Sequence, residues 1–487
     1  MNRNEFLLLV GLVFVLGGCT MAPKYTRPEA PIPGNWPSGP AYRESGPTTP
    51  TSDAAQLKRQ EFFSDEKLLR VIEMALQNNR DLRLATLNVQ RARALYGIQR
   101  AELFPVVNAV ASGGKQRVPA DLSTTGKAAI VEQYGVDLGL SSWEIDFFGR
   151  IRSLADQARE EYLATEQARR SAQILLVSEV ANAYLLLAAD RENLALANTT
   201  LETQQAAYDL VEKRFDRGLV SELDLHRAQT QVDAAKVDVA RLTQAVALDE
   251  NALNLLVGAQ VPDALAPADL NSIQPLKELS PGVSSDVLLL RPDILQAEAI
   301  LKAANANIGA ARAAFFPRIS LTAAIGTGSA ELSGLFKSGS GTWSYAPQIV
   351  MPIFDSRMWS ALKVTEVDKK SAIAQYEKAI QTAFREVADA LAVRGMVDKQ
   401  ISAQESLVHA AAETYRLSDA RYIKGIDSYL SVLDAQRSLY GAQQQLVALR
   451  LARLANQVRL YAVLGGGWQS EPKAHAAHDS IEGHQEH

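Results

Sequence analysis

A single cysteine, Cys19, occurs in the 487 residues, so neither a disulfide framework nor a thiolate zinc site can form within one chain. A cationic surplus is also missing. Fifty Lys+Arg against 55 Asp+Glu give a net charge of −5, which speaks against nucleic acid as a partner, because phosphate binding needs excess Lys/Arg on some face. After residue 19 no run of about 18 uninterrupted apolar residues occurs, and that excludes a polytopic helical membrane protein. Histidine is scarce. Four of the six (His475, His478, His484, His487) crowd the polar C-terminal end, while His226 and His409 have no Cys or second His at metal-ligand spacing. Lys337-Ser338 mimics part of a phosphate loop, but Phe336 stands where that loop needs glycine. No catalytic residue, metal site, bound cofactor or enzymatic activity is expected.

The first fifty residues carry a different signal. Arg3 precedes the apolar run Phe6–Leu16, and Leu16-Gly17-Gly18-Cys19 follows, the layout of a secretory signal over 1–18. Its last four residues resemble a bacterial lipoprotein box. The resemblance implies a diacylglycerol on the Cys19 thiol and an acyl chain on its freed amine. At about 0.8 kcal/mol per buried CH₂, two or three chains hold a protein where one does not. Thr20 rather than Asp after the cysteine favours the outer membrane by the same resemblance. A plain signal peptide with an incidental Cys19 is the other reading. Eight prolines between Pro23 and Pro50 then exclude helix and predict an extended tether.

Self-comparison reveals a duplication. Asp81-Leu82, Gly97, Arg100-Ala101 and Phe104-Pro105 recur as Asp293-Ile294, Gly309, Arg312-Ala313 and Phe316-Pro317. Tyr208, Arg214, Gly218, Ser221, Ala228-Gln229 and Gly258 recur as Tyr415, Arg421, Gly425, Ser428, Ala435-Gln436 and Gly465. Each copy reads as helix, strand, loop, strand, very long helix, turn, helix. Proline is absent from Pro119 to Pro262 and from Pro352 to Pro472, and residues 150–217 lack glycine and are rich in Ala, Leu, Glu, Gln and Arg. Such a helix would reach about 100 Å at 1.5 Å per residue. Gly218 and Gly425 supply the left-handed residue that ends a helix, and Gly395 is a candidate interruption of the second long helix.

Other segments have period two. Tyr134, Val136, Leu138 and Leu140 alternate with Gly135, Asp137, Gly139 and Ser141; Ile319–Ile325 and Trp343–Met351 behave alike, and Val106–Gly114 more weakly. The pattern fits transmembrane β-strands, and a half-buried strand of a soluble sheet shows the same alternation. In hydrocarbon a sheet must close, since each unpaired edge group costs several kcal/mol. Four strands are too few for a barrel that starts at about eight, so several chains would share one.

Nearly all of the mature chain resembles the TolC superfamily of outer-membrane efflux factors, in its lipidated OprM-like branch. The carrying segments are Ala75–Asn79 with Asp81-Leu82-Arg83, Gln99–Pro105, Trp143–Arg150, Arg291–Ile294, Ala303–Pro317, Ala374–Phe384, Ser428–Leu439 and Leu464–Trp468. The resemblance implies a mainly α fold with a transmembrane β part: a homotrimer whose 12-stranded β-barrel continues into a 12-helix α-barrel. It implies outer-membrane lipid around the barrel, a periplasmic adaptor, and an inner-membrane resistance-nodulation-division pump as partners, with drugs and amphipathic solutes as cargo. The expected organisation is a signal over 1–18, lipid anchor and Pro-rich tether over 19–63, and first-repeat helix over 64–103. A β-hairpin over 104–148, a helical hairpin over 149–261 and an equatorial linker over 262–285 follow. The second repeat has helix over 286–315, β-hairpin over 316–354 and helical hairpin over 355–465, before a C-terminal equatorial segment and tail over 466–487.

At the second turn Leu430, Asp434 and Arg437 fall on one helical stripe. By resemblance they match the family's periplasmic constriction: three leucines closing the bore, three aspartates above them, Arg437 restraining Asp434. An exposed Asp–Arg pair worth under about 1 kcal/mol is the plain alternative. Arg227 stands at the counterpart of Asp434 and Asp224 at that of Ser431, so these two could latch neighbouring hairpins. Adaptor contacts are expected around Arg217–Ser221 and Lys424–Ser428. A conduit for secreted proteins and a lipid-anchored coiled-coil scaffold are the alternatives to drug efflux.

Overall fold

The computed structural model describes residues 20–42, 59–274, 276–277 and 284–466. The signal segment, Cys19 and the histidine-bearing tail from 467 onward lie outside the described residues. The described chain forms two units, one from 20–29, 88–166 and 296–377, the other from 30–42, 59–87, 167–274, 276–277, 284–295 and 378–466.

The first unit holds a four-stranded antiparallel sheet in the order β1-β2-β3-β4, with β1 Val107–Val118, β2 Ala129–Ile145, β3 Arg318–Ser329 and β4 Gly341–Val350. Each expected strand is present, but β1 does not stop at Gly114. It continues through Lys115 and Arg117 because Lys115 pairs with Glu132 directly across the ladder, giving the polar end a cross-strand contact. The register of β2 against β3 shifts between Leu140 and Trp143, where Ser142 takes φ 51° and its N–H donates to Thr322 Oγ1 at 3.1 Å. This bulge bends β2 as it leaves the sheet, and the Trp143 indole then donates to the Leu103 carbonyl at 3.3 Å. Neither the outer edge of β1 nor that of β4 is paired within the chain among the described residues.

Among the described residues, seven helices of thirteen residues or more accompany the sheet: α1 Glu66–Asn78, α2 Arg80–Ala101, α3 Arg150–Phe215, α4 Glu222–Val257, α5 Pro292–Ala313, α6 Ser356–Ile423 and α7 Tyr429–Val463. Gly395 does not interrupt α6, which runs 68 residues without a break. One glycine costs a helix only about 1 kcal/mol, and Val387, Ala390, Val397 and Ile401 are buried on both sides of it. The first-repeat helical segment, by contrast, is broken at Asn79. The most apolar stretch of α3 has the length and composition of a membrane span, yet half of it is buried inside the protein. There Tyr184 Oη donates to the Leu265 carbonyl at 3.1 Å and Arg191 to that of Pro267 at 2.7 Å.

In the second unit the duplication places one helix end against the start of another twice. After α4, Gly258 takes φ 72°, and a Cβ there would lie 2.6 Å from the Asn78 carbonyl oxygen. Asn79 Nδ2 donates to the Leu256 carbonyl at 2.8 Å while its Oδ1 accepts from the Leu82 N–H. Asn79 thus caps the end of α4 and the start of α2 at once. In the second repeat Gly465 takes φ 76°, and Arg291 Nη1 donates to the Val463 carbonyl at 2.7 Å. Arg291 also binds Asp293 at 2.7 Å and Glu386 at 3.0 Å, and its side chain is only 11% exposed. One architectural duty is therefore met by a neutral amide in one copy and by a buried charge network in the other. Arg291→Ala should lower stability by about 3 kcal/mol, because Glu386 and the Val463 carbonyl lose their partner together. Asn79→Ala should cost only about 1 kcal/mol. Thermal unfolding of both variants in detergent measures the difference, and equal losses would contradict the assignment.

Candidate functional site at the hairpin tips

Both turns are built alike. Gly218 and Gly425 each take φ 69°, the left-handed value that only glycine adopts without strain. Each glycine N–H donates three residues back, to Phe215 at 2.8 Å and to Tyr422 at 2.9 Å. The next N–H donates five back, from Leu219 to Arg214 and from Ile426 to Arg421, both at 2.9 Å. These bonds satisfy carbonyls left open where α3 and α6 end.

The two turns are secured by different side chains. Ser221 caps α4, its Oγ accepting from the Asp224 N–H at 3.2 Å and donating to the Asp224 carboxylate at 2.7 Å. Ser428 makes no side-chain cap. There, Arg421 spans the turn to Asp427 with two hydrogen bonds of 2.6 and 3.1 Å, and that ion pair holds the Asp427 carboxyl below its ordinary range. Between the hairpins Val211, Ala228, Tyr429, Val432 and Leu433 form a buried cluster, with Tyr208, Tyr415 and Tyr422 packed against it. The Arg214 guanidinium lies 5.2 Å from the centre of the Tyr422 ring, so hairpin one also holds hairpin two by a cation–π contact. Burial pushes the Tyr429 hydroxyl up to about 12, with Tyr422 and Tyr415 adding to the shift. This phenol therefore stays neutral throughout the ordinary pH range.

Leu430, Asp434 and Arg437 all sit on the exposed side of α7, with Leu430 53% exposed beside its buried neighbours Tyr429 and Leu433. Arg437 binds Asp434 at 2.7 Å on the same helix. Arg227 and Asp224 make the corresponding pair on α4 at 3.6 Å. The structure brings Arg227, Leu430, Asp434 and Arg437 onto one small groove, with no ion pair between Arg227 and Asp434 inside one chain. Sequence reasoning missed the tyrosine cluster and Arg214. The recurrence of Tyr208 as Tyr415 was the available signal.

Farther along hairpin one, Asp249 of α4 is pushed up to about 6, by burial first and then by the Asp190 carboxylate of α3. An unfolded Asp titrates near 4, so the folded chain binds the extra proton between about pH 4 and 6. Stability is then greatest below that window and falls as pH rises through it. Asp249→Asn should remove that fall. Its unfolding midpoint should exceed that of the unaltered chain at about pH 7.5 and match it near pH 4; an equal gain at both would contradict the titration.

The chain as a whole is similar to known proteins. Residues 71–259 and 283–466 match the family model described as outer membrane efflux protein, one match for each repeat. The antibiotic efflux pump outer membrane protein ArpC of Pseudomonas putida is 48% identical over 472 residues, covering 96% of both chains. The toluene efflux pump outer membrane protein TtgC, also of Pseudomonas putida, has the same identity and coverage. Among solved structures, the open state of the Neisseria gonorrhoeae MtrE outer membrane channel superposes with a TM-score of 0.82. It is 38% identical and covers 92% of this chain and 99% of its own.

Proposed function

The chain belongs to the outer membrane efflux protein family, and from that premise we propose that three copies form the exit duct of a tripartite pump, gated at the hairpin tips. An outer-membrane efflux component of the TolC type is a passive conduit and not an enzyme. The observation that carries the trimer is the open sheet, whose β1 and β4 edges have no partner among the described residues of the chain. Three copies bring four strands each, enough for the closed wall that hydrocarbon demands. Energy comes from an inner-membrane pump of the resistance-nodulation-division class. A periplasmic adaptor links pump and duct by gripping the turns around Arg217–Ser221 and Lys424–Ser428. Lipid on Cys19 anchors the assembly to the outer membrane.

Gating follows from the exposed stripe on α7. A ring of three Leu430 side chains closes the bore by excluding water, and a ring of three Asp434 carboxylates lies one turn along the helix. Arg437 restrains each carboxylate, and an Asp224–Arg227 pair from the adjoining hairpin stands within reach to latch it. An exposed pair of this kind contributes under about 1 kcal/mol in one chain, which suits a latch that an adaptor must release. Cargo is proposed as apolar solvents and amphipathic antibiotics, the classes for which the toluene and antibiotic pump relatives are named.

Asp434→Ala combined with Arg437→Ala should raise single-channel conductance in planar bilayers by a factor of about two or more, because freeing the helix ends rehydrates an apolar constriction. Unchanged conductance would remove the gate from these residues. For cargo, a deletion strain carrying the gene on a plasmid should regain resistance to toluene and to amphipathic antibiotics. Resistance that does not return would contradict the cargo assignment.

A further inference from the structure

Residues 20–27, the described start of the proline-rich segment, contain no helix and do not hang free. Residues 20–27 lie along α5 in the first unit, running opposite to the helix. Thr20 Oγ1 lies 3.3 Å from Ser153 Oγ, and Arg312 donates to the Met21 carbonyl at 3.4 Å. Asn305 Nδ2 donates to the Pro23 carbonyl at 2.7 Å, while Lys369 of α6 donates to Asn305 Oδ1 at 2.8 Å and fixes which way the amide faces. A Cβ at Gly309 would lie 2.6 Å from Ser153 Oγ of α3 and 2.7 Å from the Ala22 nitrogen, so the strap and Ser153 together occupy the space a side chain would need.

Glu298 closes the far end. It is 4% exposed and accepts from Tyr25 Oη at 3.1 Å, from Arg27 through Nε at 3.1 Å and through Nη2, and from Lys302 at 3.1 Å. Lys302 also sits 5.3 Å over the Tyr25 ring. Burial alone would raise the Glu298 carboxyl, but the bonds from Arg27 and Lys302 outweigh it and hold the group below its ordinary range. The socket therefore stays charged at neutral pH. The lengths agree. Seven extended residues from Arg27 to Thr20 span about 23 Å, and the fourteen helical residues from Glu298 to Arg312 rise about 21 Å. Thr20 thus ends six residues of chain before Arg318, the first residue of β3, at the end of α5 that leads into the sheet.

We propose that Glu298, Asn305 and Gly309 form a socket that seats residues 20–27 in a single register, and thereby delivers the lipid on Cys19 to the level where the membrane-spanning strands begin. This inference rests on the lipidation of Cys19 proposed above. Because Thr20 follows the modified cysteine directly, no slack separates the acyl chains from the seated strap. The strap then acts as a spacer of fixed length, and the anchor enters the leaflet beside the strand ends it has to hold.

The test uses the full-length channel in outer membranes, with Glu298→Gln and Gly309→Val. Trypsin can cut the exposed Lys24–Tyr25 bond only when the strap lifts from α5. Both variants should be cut at least about tenfold faster than the unaltered chain, and a smaller share of each should reach the outer membrane as assembled channel. Cleavage unchanged in both variants would overturn the socket. Faster cleavage with full membrane recovery would overturn its role in seating the lipid. Mass spectrometry of the released peptide reads the acyl chains directly. A bare Cys19 peptide would contradict the lipid reading and leave the cleavage comparison to judge the socket.

Discussion

Everything in this molecule answers to the two unpaired sheet edges. A β-strand edge in lipid leaves a row of N–H and C=O groups with nothing to bond, at several kcal/mol for each group. Among the described residues the chain makes four strands. A short open sheet of this kind cannot bear that cost alone, which is the reason for proposing that neighbouring copies meet the edges of β1 and β4. The long helices α3 and α6 run 66 and 68 residues. Membership of the outer membrane efflux protein family fits this requirement.

Duplication supplies that fraction twice over and then departs from symmetry where function needs it. Gly258 and Gly465 end α4 and α7 in the same way, and positions 79 and 291 cap the corresponding carbonyl, Leu256 or Val463, at those helix ends. Between them the chemistry changes from Asn79 to the buried network of Arg291, Asp293 and Glu386. At the tips the turn hydrogen bonds are the same in both copies, while the fastening is not. Ser221 with Asp224 secures one turn, and Arg421 with Asp427 secures the other. Two hairpins that share a backbone and differ in charge can pair with each other around a ring, which two identical ones could not do as selectively.

Much of this was legible in the residues, and the misses have physical reasons. The turns were readable because a left-handed residue at a helix end needs glycine, so Gly218 and Gly425 announce themselves. The strands were readable where one face is apolar; β1 beyond Gly114 was not, because Lys115, Gln116 and Arg117 carry no alternation and are held by pairing across to β2. The break at Asn79 was hidden because the same residue ends one helix and starts another. Gly395 misled in the other direction, since packing on either side outweighs a single weak helix former. Proline content gave the conformation of the strap but not its partner. Glu298 looked like one more helical carboxylate until Tyr25, Arg27 and Lys302 converged on it.

The central claim, that identical chains close one another's sheet edges, is tested most directly by native mass spectrometry of the detergent-extracted outer-membrane protein. The account predicts a complex of three chains that survives until the detergent micelle is stripped away. A single chain with a stable, fully protected sheet would contradict it.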